Sequence, residues 1–202
     1  ETKTVTWLNI NGIHREDIIE SIGNYFNIHP LVMEDIMNVG QRPKIEYYDD
    51  YVFIVLRMLS YDDNKSDVID EQLSLIIMKG LVISLQEREG DVFDPIRNRI
   101  RTASGRVRKM GSDYLAYALI DIIVDNYFVI LEKLAEETEL LENDLIYNPG
   151  PDMMRKINVL KRKLILMRKT IWPFREFLST IGRVDSPIFT ETTLLYFRDV
   201  YD

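Results

Sequence analysis

The sequence contains no cysteine, only two histidines, and few glycines and prolines, 9 and 7 among 202 residues. The absence of cysteine excludes disulfide bonds, thiolate catalysis and cysteine-based zinc sites. His14 and His29 lie in separate predicted turns, and neither has a second histidine at metal-ligand spacing, so no transition-metal site is predicted. With 46% hydrophobic and 29% charged residues, the composition indicates a chain that is folded throughout.

Sequence motifs of nucleotide binding and hydrolysis are also absent. The chain contains neither G-x-x-x-x-G-K-[ST] nor G-x-G-x-x-G, and no G-x-S-x-G elbow. We therefore predict that the chain is not an enzyme and has no catalytic residues. No signal peptide is recognisable and no apolar run approaches the roughly 20 residues that span a bilayer, which predicts a soluble chain.

The charge balance is acidic, with 33 acids against 25 bases and a net charge of -8. This surplus disfavours nucleic acid and favours cations or basic partners, although it also serves solubility. One short region departs from the balance, because six basic residues lie close together: Arg97, Arg99, Arg101, Arg106, Arg108 and Lys109. No aromatic residue is interleaved among them, so ion pairs or a solvated surface are favoured over a nucleic-acid patch.

The first half of the chain has the patterns of a sheet with flanking helices. "TVTWLNI" alternates like a strand, whereas "REDIIESIGNYFNI" and "LVMEDIMN" have helical spacing and are predicted to cover one face of the sheet. Four segments between residues 44 and 86 are rich in β-branched and aromatic residues, and their short turns predict antiparallel pairing. "GDVFDPIRNRIR" is predicted to be a helix with Asp91 near its start. The predicted core residues are Val52, Ile54, Leu56, Leu75, Ile77 and Ile83.

After Gly111 the pattern becomes that of long helices. One helix is predicted from Ser112 to about Asn148, and "YNPGP" separates it from a second helix that Pro173 should kink. The second helix has an apolar seam of about four heptads: Met153, Ile157, Leu160, Leu164, Met167, Ile171, Phe174, Leu178 and Ile181. Eight acids on the first helix are predicted to face eight bases on the second in an antiparallel hairpin.

A third helix is predicted to begin at about Phe189, and the sequence stops within it. No glycine, proline or C-terminal cation follows Leu194, Phe197 and Tyr201, although such residues usually close a helix. We therefore expect the chain to be a fragment.

Carboxylates are the remaining chemical signal. They occur as three pairs, namely Glu34 with Asp35, Asp121 with Asp125, and Asp199 with Asp202. Partly buried carboxylates suit hard cations such as Mg2+ or Ca2+, although most such pairs are ordinary solvated or capping acids. Like charges four residues apart in an apolar run repel each other, so a cation or basic group is expected near Asp121 and Asp125.

Several segments resemble the cytoplasmic part of the CorA magnesium-transporter family. They are "TWLNINGIHRED", "IHPLVMEDIMNVGQRPKIEYYDDYVFIVLRM", "GDVFDPIRNRIR", "YALIDIIVDNYFVILEKL", "LKRKLILMRKTIWPFREFLS" and "YFRDVYD". The resemblance covers nearly the whole chain in order, including the turn prolines and the "IWP" motif. It is therefore more specific than any single motif in the sequence.

This resemblance implies an α+β fold. Residues 1–111 would form an αβα sandwich with a mixed, largely antiparallel sheet, and residues 112–182 a long, coiled-coil-like helical hairpin. Residues 183–202 would be a linker and the beginning of a stalk helix, truncated before the pore helix and the Gly-Met-Asn loop. The chain would be a soluble domain at the cytoplasmic face of the cell membrane, attached to it only through the missing C-terminal helices.

The resemblance also implies divalent-cation sites between neighbouring subunits of a homopentamer. The matching candidates in this chain, with the main pair first, are Asp35, Asp199, Glu34, Asp121, Asp125 and Asp202. Relatives can carry histidine in the "NVxQRP" turn, where this chain has Gly40, so no ligand is assigned there. Mg2+ would be the regulatory ion, with Co2+, Ni2+ or Ca2+ able to take its place, and binding would stabilise a closed state. No nucleic-acid partner is implied.

Two other functions are consistent with parts of the sequence. A scaffold or assembly protein would use the heptad hairpin for association, which would then be indifferent to divalent cations. A Mg2+-dependent phosphoryl hydrolase would need converging carboxylates and a nucleophile or positioned water, for which no motif is present.

Overall fold

The computed structural model describes residues 4–147, 150–183 and 186–202. Five strands and six helices are defined within these ranges. Their order is β1 (Thr6–Asn11), α1 (Glu16–Phe26), α2 (Pro30–Met37), β2 (Lys44–Tyr47), β3 (Tyr51–Asp62), β4 (Asp67–Met78), β5 (Leu81–Gln86), α3 (Asp94–Arg101), α4 (Ser112–Tyr147), α5 (Pro151–Thr180) and α6 (Glu191–Tyr201).

The strands form one mixed sheet in the order β1-β5-β4-β3-β2. Strands β2 to β5 pair antiparallel with their chain neighbours, as their short turns predicted, whereas β1 pairs parallel with β5. The β3–β4 hairpin is paired over its whole length, from Tyr51 opposite Met78 to Asp62 opposite Asp67. The predicted α+β class with a mixed, largely antiparallel sheet is confirmed.

Helices cover both faces of this sheet. Because side chains alternate along a strand, Phe53 and Val55 pack with α1 and α2, while Ile54 and Leu56 pack beneath the long helices. All of these side chains are fully buried, which explains why β3 is almost continuously apolar. The six predicted core residues are all buried, five beneath the long helices and Ile83 on the α1–α2 side.

Helix α4 contains a long apolar segment. The segment Ser112–Ile146 is long and apolar enough to cross a membrane by length and composition, with a mean hydropathy of 1.7 over 18 residues, which corrects the expectation that no segment approaches this length. Half of that window is buried inside the molecule. Leu119, Ile120 and Ile123 are fully buried in the core beneath the sheet, so the place of α4 in the core accounts for its apolar character.

The α4–α5 hairpin is less like a coiled coil than its sequence predicted. Met153, Leu160 and Met167 of the predicted seam are buried, but Ile157 and Leu164 are 37% and 45% exposed. In this half of α5, the residues spaced seven apart are buried and those between them are exposed. Helix α4 therefore covers one of the two apolar positions in each heptad and not both. Helix α5 continues past Pro173 to Thr180, and the predicted kink stays a prediction.

The predicted charge pairing of the two helices is largely wrong. Among the described residues, two ion pairs join α4 to α5: Glu137 with Lys163 at 2.7 Å and Asp144 with Lys156 at 2.9 Å. Most of the other charged side chains on these helices are exposed. Long charged side chains remain hydrated unless packing confines them, since an exposed pair contributes only about 0–1 kcal/mol.

The start of α6 is tied to the start of α4. Asp113 is buried, and one of its oxygens accepts bonds from the backbone N–H and the hydroxyl of Thr190, at 3.0 and 2.7 Å. Thr190 in turn accepts from the Thr193 N–H and caps α6, which begins two residues after the predicted position. These bonds place α6 beside α4.

The division into domains at residues 111 and 182 stays a prediction. One hydrophobic core includes residues of the sheet and of both long helices, so the core itself does not mark a boundary at residue 111.

Candidate metal-binding carboxylates

Asp35 lies near the end of α2, close to the β2 edge of the sheet. Its carboxylate is 22% exposed and lies 2.6 Å from the ammonium group of Lys44, at the start of β2. Gln72 of β4 donates to the backbone carbonyl of Asp35 at 3.0 Å and so attaches this turn of α2 to the sheet. Asp35 is therefore a positioned and partly exposed carboxylate that already has one cationic neighbour.

Lys44 is shared between two acids. Its Nζ atom also lies 2.6 Å from Glu46 Oε1, while Glu46 Oε2 accepts from the Tyr48 hydroxyl at 3.0 Å. Burial alone would lower the pKa of Lys44, but the bonds to Asp35 and Glu46 outweigh it and raise the pKa. This partnership was missed in the sequence, because nothing in the local pattern links a residue of α2 to one nine positions later in a strand.

Glu34 precedes Asp35 but points elsewhere. Its side chain is exposed, and successive residues on a helix project about 100° apart, so the two carboxylates do not converge on one point. Its carbonyl accepts the Asn38 N–H at 2.9 Å, which closes the helix. The predicted pair Glu34 and Asp35 is thus two separate acids.

The other four predicted carboxylates lie around one cavity, without three of them being grouped closely enough to hold a metal ion. They line a cavity of about 400 Å³ between α4, α5 and α6, whose acidic residues are Asp121, Asp125, Asp199 and Asp202. Apolar side chains such as Phe128 and Phe174 form the rest of the wall, and Arg175 is the basic residue in the lining. The i, i+4 spacing directs Asp121 and Asp125 to one face of α4, and Asp202 follows Asp199 by three residues, directly after the end of α6.

The pKa of Asp121 reflects both its burial and the repulsion between these carboxylates. Burial raises the pKa of Asp121, and the negative charges of Asp125 and Asp199 raise it further. The Tyr117 hydroxyl and Arg99 act in the opposite direction but do not compensate. A basic group therefore lies near this pair, as expected from the sequence, yet the site retains an excess of negative charge that a cation would relieve.

The two carboxylate sites lie on opposite sides of the sheet. Helix α2 packs with α1 on one face, whereas α4 and α6 pack on the other, so Asp35 and Asp199 do not meet within one chain. Within residues 4–147, 150–183 and 186–202, no three histidine, aspartate or glutamate side chains are grouped to hold a metal ion. The donors are nonetheless partly exposed oxygens, which fit Mg2+ because it retains several waters and uses one or two carboxylates.

Comparisons with known proteins agree along the whole chain. A family model described as CorA-like Mg2+ transporter protein matches residues 2–202. The chain is 50% identical over 202 residues to the cobalt/magnesium transport protein CorA of Thermotoga maritima, covering all of the chain and 58% of that relative. It is 28% identical over 203 residues to the putative metal ion transporter YfjQ of Bacillus subtilis, covering all of the chain and 62% of that protein.

Solved structures with this fold include the soluble domain of CorA from Methanocaldococcus jannaschii. That structure matches with a TM-score of 0.84 at 21% identity, over 98% of this chain and 78% of the other. The complete CorA magnesium transporter from the same organism matches with a TM-score of 0.82 at 20% identity, over 98% of this chain and 61% of the other. The chain thus spans only part of the length of the curated transporters it matches.

Proposed function

Since this chain belongs to the CorA-like Mg2+ transporter family, we propose that it is the cytoplasmic domain of a divalent-cation transporter and senses Mg2+ through carboxylates between subunits. The observation that carries this proposal is the gathering of four predicted carboxylates around one cavity, where burial and mutual repulsion raise the pKa of Asp121. Such a site favours binding of a cation because ionised carboxylates repel each other most strongly when they are desolvated.

The placement of Asp35 supports sites that are completed by a second copy of the chain. Asp35 and Asp199 lie on opposite sides of one sheet, so a cation that contacts both would have to bridge neighbouring subunits. The homopentamer implied by the family resemblance would supply this neighbour. The same arrangement would place the domain on the cytoplasmic face of the membrane, attached through segments outside this chain.

Regulation would follow from differential affinity for two states of the assembly. Bound Mg2+ supplies positive charge that offsets the carboxylates across each interface. Without that charge, Asp121, Asp125 and Asp199 repel one another and the facing subunit's acids, so the closed and symmetric arrangement loses stability. A ligand can shift such an equilibrium only by the difference in its affinity for the two states.

Thermal melting of the 202-residue chain against MgCl2 tests the proposal. Wild type is expected to show a saturating rise in Tm, because a ligand at 100 times its Kd stabilises a protein by about 2.7 kcal/mol, or about 5–10 °C for a chain of this size. The Asp35→Ala, Asp199→Ala double variant should lose this rise. Ionic strength is matched with NaCl throughout, because screening acts on any charged surface.

A matched control removes the same charge elsewhere. Asp49 and Asp50 are exposed in the turn between β2 and β3, so the Asp49→Ala, Asp50→Ala variant should respond to MgCl2 like wild type. Equal saturating rises in all three proteins would contradict the roles of Asp35 and Asp199. No saturating rise in any of them would contradict metal sensing by this chain and favour the scaffold function, for which the exposed Ile157 and Leu164 of α5 offer a contact surface.

Lys44→Met is expected to tighten Mg2+ binding. Lys44 places a positive charge 2.6 Å from Asp35, and an incoming cation would have to displace or share it. Because Lys44 is 28% exposed, the competing ion pair contributes only about 1 kcal/mol, so the midpoint of the MgCl2 titration should fall about threefold to tenfold. The control is Lys65→Met, which removes a 77% exposed lysine and should leave the midpoint unchanged. An unchanged midpoint in Lys44→Met would indicate that Asp35 does not bind the ion.

Asp121→Asn is expected to raise Tm in the absence of divalent ions. The folded pKa of Asp121 lies above its unfolded value, so the ionised carboxylate costs stability once the pH exceeds the unfolded pKa, and wild-type stability falls as pH rises towards the folded pKa. Relief of a like-charge pair contributes about 0.5 kcal/mol, or about 1–2 °C at neutral pH. This advantage should vanish at pH 3.5 and should shrink in saturating MgCl2. A variant less stable than wild type at neutral pH would refute the repulsion.

A further inference from the structure

A second cavity lies at the β1 edge of the sheet, at the opposite edge from Lys44. It has a volume of about 520 Å³ and is lined by residues of β1, α3, the following loop and the start of α4. Its apolar wall includes Val5, Trp7, Ile100 and Val107. The volume is within the range of sites that bind small organic molecules.

Trp7 is held in a fixed orientation at this cavity. Its indole N–H donates to the Ser84 hydroxyl at 2.8 Å, and that hydroxyl donates to Asn9 at 2.6 Å. Phe93 contacts the ring edge-on at a centroid distance of 5.7 Å, and the Arg97 guanidinium lies 5.3 Å from the ring. The Arg97 guanidinium lies over the indole ring, and the remaining surface of this fixed ring forms part of the apolar wall that a ligand can contact.

The basic residues between Arg97 and Lys109 differ in whether the protein supplies them with a partner. Arg97 is paired with Asp91 and Asp94, and Arg106 bonds to the hydroxyl of Tyr196. By contrast, Arg101 and Arg108 both line the cavity, and neither makes an ion pair or a side-chain hydrogen bond with the described part of the chain. Both arginines are exposed, so in a chain with a net charge of -8 this cavity offers two guanidinium groups that are available to an anion.

We propose that this cavity binds a small organic phosphate with a flat apolar body, such as a nucleoside monophosphate. Arg101 and Arg108 would hold the phosphate through paired N–H donors, a geometry that guanidinium groups are suited to. Trp7 and the neighbouring aliphatic side chains would contact the apolar body. The site is separate from the carboxylates of the proposed function and does not depend on them.

Tryptophan fluorescence with adenosine 5′-monophosphate as the probe tests this site. The chain has two tryptophans, and Trp172 is 68% exposed, so a Trp172→Phe background leaves Trp7 as the reporter without disturbing the core. In EDTA, the nucleotide should change the Trp7 emission saturably with a midpoint below about 1 mM. Adenosine lacks the phosphate and inorganic phosphate lacks the apolar body, so each should bind at least tenfold more weakly than the nucleotide.

The Arg101→Gln, Arg108→Gln double variant should raise the midpoint at least tenfold. Both side chains are exposed, so the variant is expected to fold, and its melting curve verifies this. An Arg15→Gln, Lys65→Gln variant removes two exposed positive charges elsewhere and should bind like the parent. The proposal is overturned by an absent saturable signal, by equal loss in both double variants, or by inorganic phosphate or adenosine binding as tightly as the nucleotide.

Discussion

Lys163→Ala is expected to lower the free energy of unfolding by about 2–4 kcal/mol. The lysine side chain is only 4% exposed, and its Nζ atom lies 2.8 and 2.7 Å from the two oxygens of Glu137. Its removal leaves a carboxylate in a confined position without its cation. Breaking a fully buried pair costs about 3–5 kcal/mol, and the range is reduced here because Glu137 is 25% exposed.

This ion pair joins three elements. Glu137 of α4 accepts a bond from the Tyr61 hydroxyl of β3 as well as from Lys163 of α5, and Lys163 lies 5.5 Å from the Tyr61 ring centre. Burial and the Glu137 charge raise the pKa of Tyr61 to about 12. The hydroxyl therefore stays protonated and can donate at every physiological pH. The cluster fastens the helical hairpin to the longest strands of the sheet.

Urea unfolding measures the predicted loss of stability. An unchanged m-value would show that the variant exposes the same amount of surface on unfolding as wild type. Lys156→Ala is the matched control, because Lys156 pairs with Asp144 at 2.9 Å but both side chains are about half exposed. It should cost less than about 1 kcal/mol. Combining Lys163→Met with Glu137→Gln should recover part of the loss, since no unpaired charge then remains. Similar costs for Lys163→Ala and Lys156→Ala would contradict the structural role assigned to the cluster.

Asp91→Ala is expected to cost about 3 kcal/mol at neutral pH. The Asp91 side chain is 3% exposed, accepts from Arg97 Nη1 at 2.6 Å and accepts the Phe93 N–H at 2.9 Å. Its loss leaves Arg97, itself 24% exposed, with only the exposed Asp94 as an ion-pair partner among the described residues. The cost lies at the lower end for a broken buried pair, because Arg97 retains access to water.

The same carboxylate predicts a dependence on pH. Burial alone would raise the pKa of Asp91, but the bonds from Arg97 and Phe93 outweigh it and lower the pKa. A lowered folded pKa contributes stability that is present above the unfolded value of about 4 and is lost as pH falls through the folded value. Wild type should therefore lose stability as the pH falls below about 4.

Urea unfolding of wild type and Asp91→Asn at pH 7 and pH 2.5 checks both parts of this prediction. The Asp91→Asn side chain has nearly the same shape but no charge, so the difference in stability from wild type should be large at pH 7 and smaller at pH 2.5. Asp94→Asn is the control, because that side chain is 86% exposed and should contribute little at either pH. If the free energies of unfolding of wild type and Asp91→Asn differed by the same amount at both pH values, the charge of Asp91 would not be the source of its stabilising effect.

The sequence by itself determined the local elements and the family. Continuous apolar character in β3 and β4, a break at "YNPGP" and helical spacing through α4 and α5 are local patterns, and each was recovered within a few residues. The spacing of Asp121 and Asp125 likewise predicted a strained acidic pair, and burial raises the pKa of Asp121 as that pattern suggests. Local periodicity is sufficient for these features because neighbours along a helix or strand are also neighbours in space.

Only the tertiary structure decided which distant residues meet. The parallel pairing of β1 with β5, the ion pair of Asp35 with Lys44 and the attachment of Lys163 to Tyr61 all join different elements. The structure also left Ile157 and Leu164 exposed in a seam that periodicity alone would bury. These outcomes depend on strand order and on which helix stripe contacts the sheet. Both are settled by the packing of the whole chain, because no local pattern specifies the partner of a buried charge or an apolar side chain.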